Sequence, residues 1–219
     1  MNMYYLSNLL LIIGTLLLVI EILYISIKYL ILNKISLKNI TGYDIAKLLI
    51  DRNKIQDISI IEATTGNKNS YNINRNSIRL SKNIYNNTNI FALSISLYIA
   101  GCTILKNNKN KYINLYNKLF SKISYISISS IIILIVSKLF KGYYSLIGLL
   151  ILIIMFIYSY IRKSISNDNI EIISKQINRL KIENKDKIIE ILKIIDNIYN
   201  ITIIICILQI TRLLIYIIN

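Results

Sequence analysis

The sequence predicts a mostly α-helical polytopic membrane protein with about four transmembrane helices and a small cytoplasmic α+β subdomain. Three observations carry that prediction. Of 219 residues, 54% are hydrophobic and the mean hydropathy is +0.53, with the apolar residues gathered into long runs. The 26 Lys and Arg outnumber the 11 Asp and Glu, and almost all of them lie between the runs. One polar stretch, residues 34–122, is large enough to carry a site.

The first run, residues 4–27, is broken only by Glu21. It exceeds the roughly 20 helical residues that cross a hydrocarbon core. A cleavable signal peptide would need a basic start, a shorter apolar stretch and a small-residue cleavage site, so the run is read as a retained anchor. Residues 123–139 and 143–161 form the second and third spans, joined by a turn at Phe140-Lys141-Gly142. Residues 199–218 form the fourth, which contains Gln209 and Arg212. Between the third and fourth spans, residues 162–198 read as a cytoplasmic helical segment. Its second helix runs into the last span, because no Gly or Pro interrupts Ile188 to Ile218.

Fifteen Lys and Arg fall between Lys28 and Lys122 and eight between Arg162 and Lys193, against two beside the hairpin turn. The positive-inside bias therefore puts both polar regions in the cytoplasm and both termini outside. The net charge of +15 also raises the question of nucleic acid. The cations are scattered singly, without an arginine cluster or an aromatic platform, so a basic face beside anionic lipid is expected and nucleic-acid binding is not.

In the subdomain, Thr41-Gly42-Tyr43-Asp44 reads as a capping box opening a helix that ends near Asp51. Residues 58–63 read as a strand. Residues 71–73 and 77–80 read as a pair around a polar turn, the second of them an edge strand. The apolar run 89–105 is 17 residues long, just below spanning length. It is read as a buried helix of the subdomain, with a fifth span as the alternative.

Histidine is absent, which excludes imidazole metal sites, Ser/His and Cys/His pairs, and a histidine proton switch. Cys102 and Cys206 are too few for a disulfide framework or a thiolate zinc site.

Four short motifs stand in order: Ile40-Thr41-Gly42, Ile78-Arg79-Leu80-Ser81, Ile84-Tyr85-Asn86-Asn87-Thr88, and Leu208-Gln209 to Arg212 in the last span. Their order and spacing resemble the YugP-type membrane neutral zinc metallopeptidases. The resemblance implies a zincin-like subdomain in which the helix at 89–105 bears an HExGH motif. Such a motif holds zinc between two imidazoles one turn apart, with the Glu as general base. Aligned on Gly101, this chain places Tyr98 at the first ligand, Ile99 at the base and Cys102 at the second ligand. Anchoring on Ser166 puts Arg162 where the resemblance implies a third, carboxylate ligand.

These four positions, Tyr98, Ile99, Cys102 and Arg162, are thus expected to be a degenerate metal site. No metal or other cofactor and no catalysis are expected. The implied role is a non-catalytic pseudo-peptidase that binds polypeptide segments or other membrane proteins; the alternative is a structural or assembly subunit of a membrane complex. Arg162 is expected to meet Tyr98 or Glu21. Glu21 is expected at the cytoplasmic boundary, near Arg162 or Lys163, and Arg212 is expected to snorkel outward or face a helix interface beside Gln209.

Overall fold

A computed structural model of the chain describes residues 3–37, 40–63, 69–72, 75–120, 133, 135, 136, 138, 139, 145–180, 182 and 184–218. The order of elements is α1 (Met3–Leu32), α2 (Gly42–Arg52), β1 (Ser59–Ala63), β2 (Ser70–Asn72), β3 (Ser77–Ser81), α3 (Lys82–Tyr85), α4 (Ile90–Asn107), α5 (Lys111–Phe120), α6 (Ser145–Leu180) and α7 (Lys185–Ile218). The fold is mostly helical, with one three-stranded sheet. Most of the expected second span and all of its turn lie outside the described residues; Ile133, Ile135, Val136, Lys138 and Leu139 are described, and are helical.

The capping box forms as the sequence dictates. Asp44 N–H donates to the Thr41 hydroxyl at 3.2 Å, while Thr41 N–H and the Thr41 hydroxyl donate to the Asp44 carboxylate at 3.0 and 2.6 Å. Gly42 is required by packing. A Cβ there would stand 2.1 Å from the Ile84 carbonyl oxygen and 2.6 Å from Ser96 Oγ, so only glycine lets α2 start this close to α3 and α4.

The sheet has the order β1-β3-β2, with β1 parallel and β2 antiparallel to β3. The strand expected at the edge is therefore the central one. Pairing on both sides explains its burial: Ile78 and Leu80 are fully buried on one face, and Ser77 and Ser81 are buried on the other. Directly after it, Asn89 opens α4. Its Oδ1 accepts from Ala92 N–H at 2.7 Å, and its amide donates to Asn33 Oδ1 at 2.5 Å, which ties the start of α4 to the end of α1.

Four helices are long and apolar enough to cross a membrane: Tyr5–Leu32, Ile90–Asn107, Ser145–Arg179 and Lys185–Ile215. They differ in burial. Only 11% of the apolar window is buried in the first, whereas 72% is buried in the Ile90–Asn107 helix. The exposed apolar side chains, among them Ile12, Leu16, Ile20, Leu150, Ile154 and Ile204, come chiefly from α1, α6 and α7. Exposed apolar side chains in such number on long helices are what lipid-facing helices present.

At 36 residues α6 is about 54 Å long, longer than the roughly 30 Å hydrocarbon core. It continues without a break from the expected third span into the polar region, and α7 runs the opposite way into the last span. Lys163 pairs with Asp196 and Arg162 with Tyr199 across the two helices, an antiparallel register. The polar half of this pair packs on the subdomain through Asn110 to Asp168 (2.7 Å) and Gln176 to Asn53 (3.1 Å).

Helices α1 and α7 are also antiparallel. Lys28 meets Glu190 at 2.5 Å at one end. At the other, Gln209 Nε2 donates to the Leu10 carbonyl at 3.4 Å and Arg212 Nε donates to Ser7 Oγ at 3.3 Å. Arg212 is only 2% exposed, so of the two expectations the helix interface beside Gln209 holds and the outward snorkel does not: the side chain turns toward α1, where hydroxyl and carbonyl groups receive the polar atoms of α7.

Candidate functional site: an arginine held by tyrosines

A polar cluster lies between α4 and α6. On α6, Arg162, Ser166 and Asn169 follow the i, i+4, i+7 spacing of one helix face. Opposite them, α4 presents Tyr98 and Cys102, one turn apart, with Gly101 between. The Asn169 amide donates to the Tyr98 carbonyl at 2.7 Å and to Cys102 Sγ at 3.6 Å. Gly101 makes this approach possible, since a Cβ there would stand 1.9 Å from Asn169 Oδ1.

Arg162 lies within electrostatic reach of both Tyr98 and Cys102. Its guanidinium carbon stands 4.9 Å from the centre of the Tyr116 ring and 5.5 Å from that of Tyr199, and its Nη2 donates to the Tyr199 hydroxyl at 2.9 Å. Tyr158 completes the surroundings, stacked at an angle on Tyr116 with ring centres 6.1 Å apart. Ring faces carry negative potential, so this cage offsets part of the guanidinium charge without a carboxylate. Among the described residues no acid pairs with Arg162.

The sequence-predicted residues sort as follows. Tyr98, Cys102 and Arg162 come together, and Tyr98 and Cys102 are buried. Ile99 belongs to the apolar core. Glu21 is buried but makes no hydrogen bond or ion pair to a described residue, and the expected meeting with Arg162 or Lys163 is corrected: Arg162 is taken by Tyr199 and Lys163 by Asp196. Sequence reasoning missed Asn169, Tyr116 and Tyr199. Asn169 was legible as the third member of the Arg162–Ser166 face; Tyr116, on a short helix with no motif, gave no signal.

The model of the family described as "putative neutral zinc metallopeptidase" matches residues 7–218. The chain belongs to this family. No curated protein and no solved structure matches it. The family implies zinc, and the cluster can be tested for it by donor chemistry. Around Arg162 stand phenols, one thiol and an amide, with a guanidinium where an anionic ligand would be needed. Among the described residues no three His, Cys, Asp or Glu side chains come together. This donor set does not fit the metal: Zn²⁺ takes imidazole, thiolate or carboxylate, and a fixed cation repels it.

Proposed function

We propose that this zinc-metallopeptidase relative is a non-catalytic pseudo-peptidase, which binds polypeptide segments or a partner membrane protein without cutting them. The observation that carries the reading is the Arg162 guanidinium, caged by tyrosines beside Tyr98 and Cys102, at the position to which the resemblance assigns a carboxylate ligand. Peptide-bond hydrolysis by this family's chemistry needs a metal-activated water and a general base. Ile99 stands at the base position and is apolar. The polar regions face the cytoplasm and both termini face outward, on the strength of the charge asymmetry.

Elemental analysis of the purified, dialysed protein tests the loss of the site. The expected result is less than one zinc per chain; stoichiometric zinc that disappears in Cys102→Ala overturns it. A second reading, a structural subunit of a membrane complex, is favoured by α1, whose apolar face is nearly all unburied and free to meet another helix. Gentle solubilisation separates the two: a stoichiometric membrane partner supports the subunit, and exchangeable peptides support the pseudo-peptidase.

A further inference from the structure

An open cleft of about 290 Å³ lies beside α3, lined by Lys82, Asn83, Asn86, Asn87 and Thr88. Its last three residues belong to the stretch Ile84–Thr88, a motif that the Arg162 cluster leaves unused. Small-molecule sites begin at about 300 Å³, so the cleft has room for a small polar group. Its lining offers one ammonium, three amides and a hydroxyl, and no acid. Among the described residues no hydrogen bond or ion pair takes the side chains of Lys82, Asn83, Asn86 or Thr88. Asn87 is oriented: its Oδ1 accepts from Asn89 N–H at 3.0 Å, which leaves its NH₂ group to a ligand. The backbone is tied on both sides, since the Asn87 carbonyl accepts from Gly42 N–H at 3.0 Å and the Thr88 carbonyl from Leu37 N–H at 2.9 Å.

The height of the cleft is set by α1. Its 30 residues make a helix of about 45 Å, which matches the roughly 40–45 Å of a bilayer with both headgroup layers. Leu30 and Ile31, at its end, are still 62% and 55% exposed, so the apolar surface runs to the last turn and the chain leaves α1 at headgroup level. The residues that follow carry the cleft: Asn33 accepts from the Asn89 amide, Ser36 bridges Asn89, and Leu37 holds Thr88. We propose that the cleft binds the headgroup of an anionic glycerophospholipid, with Lys82 on the phosphodiester and the amides and Thr88 hydroxyl on its oxygens and on headgroup hydroxyls. One ammonium matches the single charge of a phosphodiester, and amides and hydroxyls both donate and accept, as a hydroxylated headgroup requires. The lining has no acid to meet the cation of a choline headgroup. Dissolved phosphate shares this chemistry, but only a lipid is presented at that height. The site depends on α1 crossing the membrane and not on the pseudo-peptidase reading.

A chain of net charge +15 attracts any anionic lipid, so the test separates a site from a field. Native mass spectrometry of the full-length protein, released from a neutral detergent doped with phosphatidylglycerol or phosphatidylcholine, counts the lipids retained. One phosphatidylglycerol per chain is expected, bound roughly tenfold more tightly than phosphatidylcholine. Lys82→Gln/Asn86→Ala changes two exposed side chains and should weaken phosphatidylglycerol about tenfold while leaving phosphatidylcholine unchanged. Lys109→Gln removes the same charge past the other end of α4, about 27 Å of helix away, and should bind like the wild type. Equal retention of the two lipids, or wild-type binding by the cleft variant, overturns the site. An equal loss in Lys109→Gln overturns it in favour of a diffuse field. Inorganic phosphate, added at constant ionic strength, identifies the source: phosphatidylglycerol that resists an equal concentration supports the lipid, and phosphate that displaces it assigns the cleft to a dissolved ion and overturns the lipid.

Discussion

Asn169 Oδ1 occupies the position a Cβ on residue 101 would need, 1.9 Å from where that atom would be built. Gly101 and Asn169 are therefore a complementary pair, and α4 and α6 meet at this depth because one residue lacks a side chain and the other fills its place. Gly101→Ala should destabilise the protein by about 1–3 kcal/mol through overpacking, although alanine is the better helix former. In an Asn169→Ala background the same change should cost far less, because the blocking amide is gone. Chemical unfolding of the four proteins in the cycle measures the coupling, and equal costs in both backgrounds would refute the pairing.

Arg162→Glu should lower stability by about 2 kcal/mol or more, since it removes the Tyr199 hydrogen bond and sets a carboxylate against two ring faces. It should not create zinc binding, because Tyr98 and Ile99 remain. Arg162→Lys keeps the charge but not the planar fork, and should fall between the two. Melting temperatures decide: if the Glu variant melts with the wild type, the cage contributes nothing.

The capping box gives a pH dependence whose sign is fixed. Hydrogen bonds from the Thr41 hydroxyl, and then from its backbone N–H, hold the Asp44 carboxyl below its ordinary value. Its contribution is therefore present above the unfolded-state value of about 3.9, and is lost as pH falls through the lower folded-state value. Asp44→Ala should cost about 1 kcal/mol at neutral pH, and that difference should shrink once both states are protonated. Unfolding curves of the two proteins across the acid range measure it; a gap that stays constant down to the lowest pH would refute the role of the carboxylate.

Both cysteines are buried, so single cysteines introduced at the exposed Arg52 and Asp186 can be labelled over a low background. With the proposed orientation, a membrane-impermeant maleimide added outside sealed vesicles or cells should reach neither until the membrane is opened. Labelling of both before permeabilisation would reverse the orientation.

Much of this arrangement could be read in the chain. Capping residues and apolar runs act over a few neighbours, so Thr41, Asp44 and the apolar stretches of α1, α6 and α7 announced themselves. Tyr98, Cys102 and Arg162 were brought together only by the family resemblance, lined up on Gly101 and Ser166, since no local pattern links residues sixty apart. What escaped were contacts set by packing over long separations. Tyr116 and Tyr199 reach Arg162 from helices far away in sequence. For Arg212 a helix interface could be expected, but not its partner Ser7, 205 residues earlier. The place of β3 at the centre of the sheet depended on β1 pairing in parallel across an intervening strand, which no local pattern encodes.

The joining of α1 to α7 through Ser7 and Arg212 sets an order for biogenesis. The ribosome finishes the first helix long before it makes the last, so α1 must enter the bilayer unaided; its mean hydropathy of 2.6 is enough for that. Helix α7 is also apolar enough to cross, yet it carries Arg212 and Gln209, whose polar groups are received by Ser7 and the Leu10 carbonyl of α1. Helix α1 is then a waiting partner for α7, and a chain whose α1 fails to insert would leave Arg212 and Gln209 without the groups that receive them.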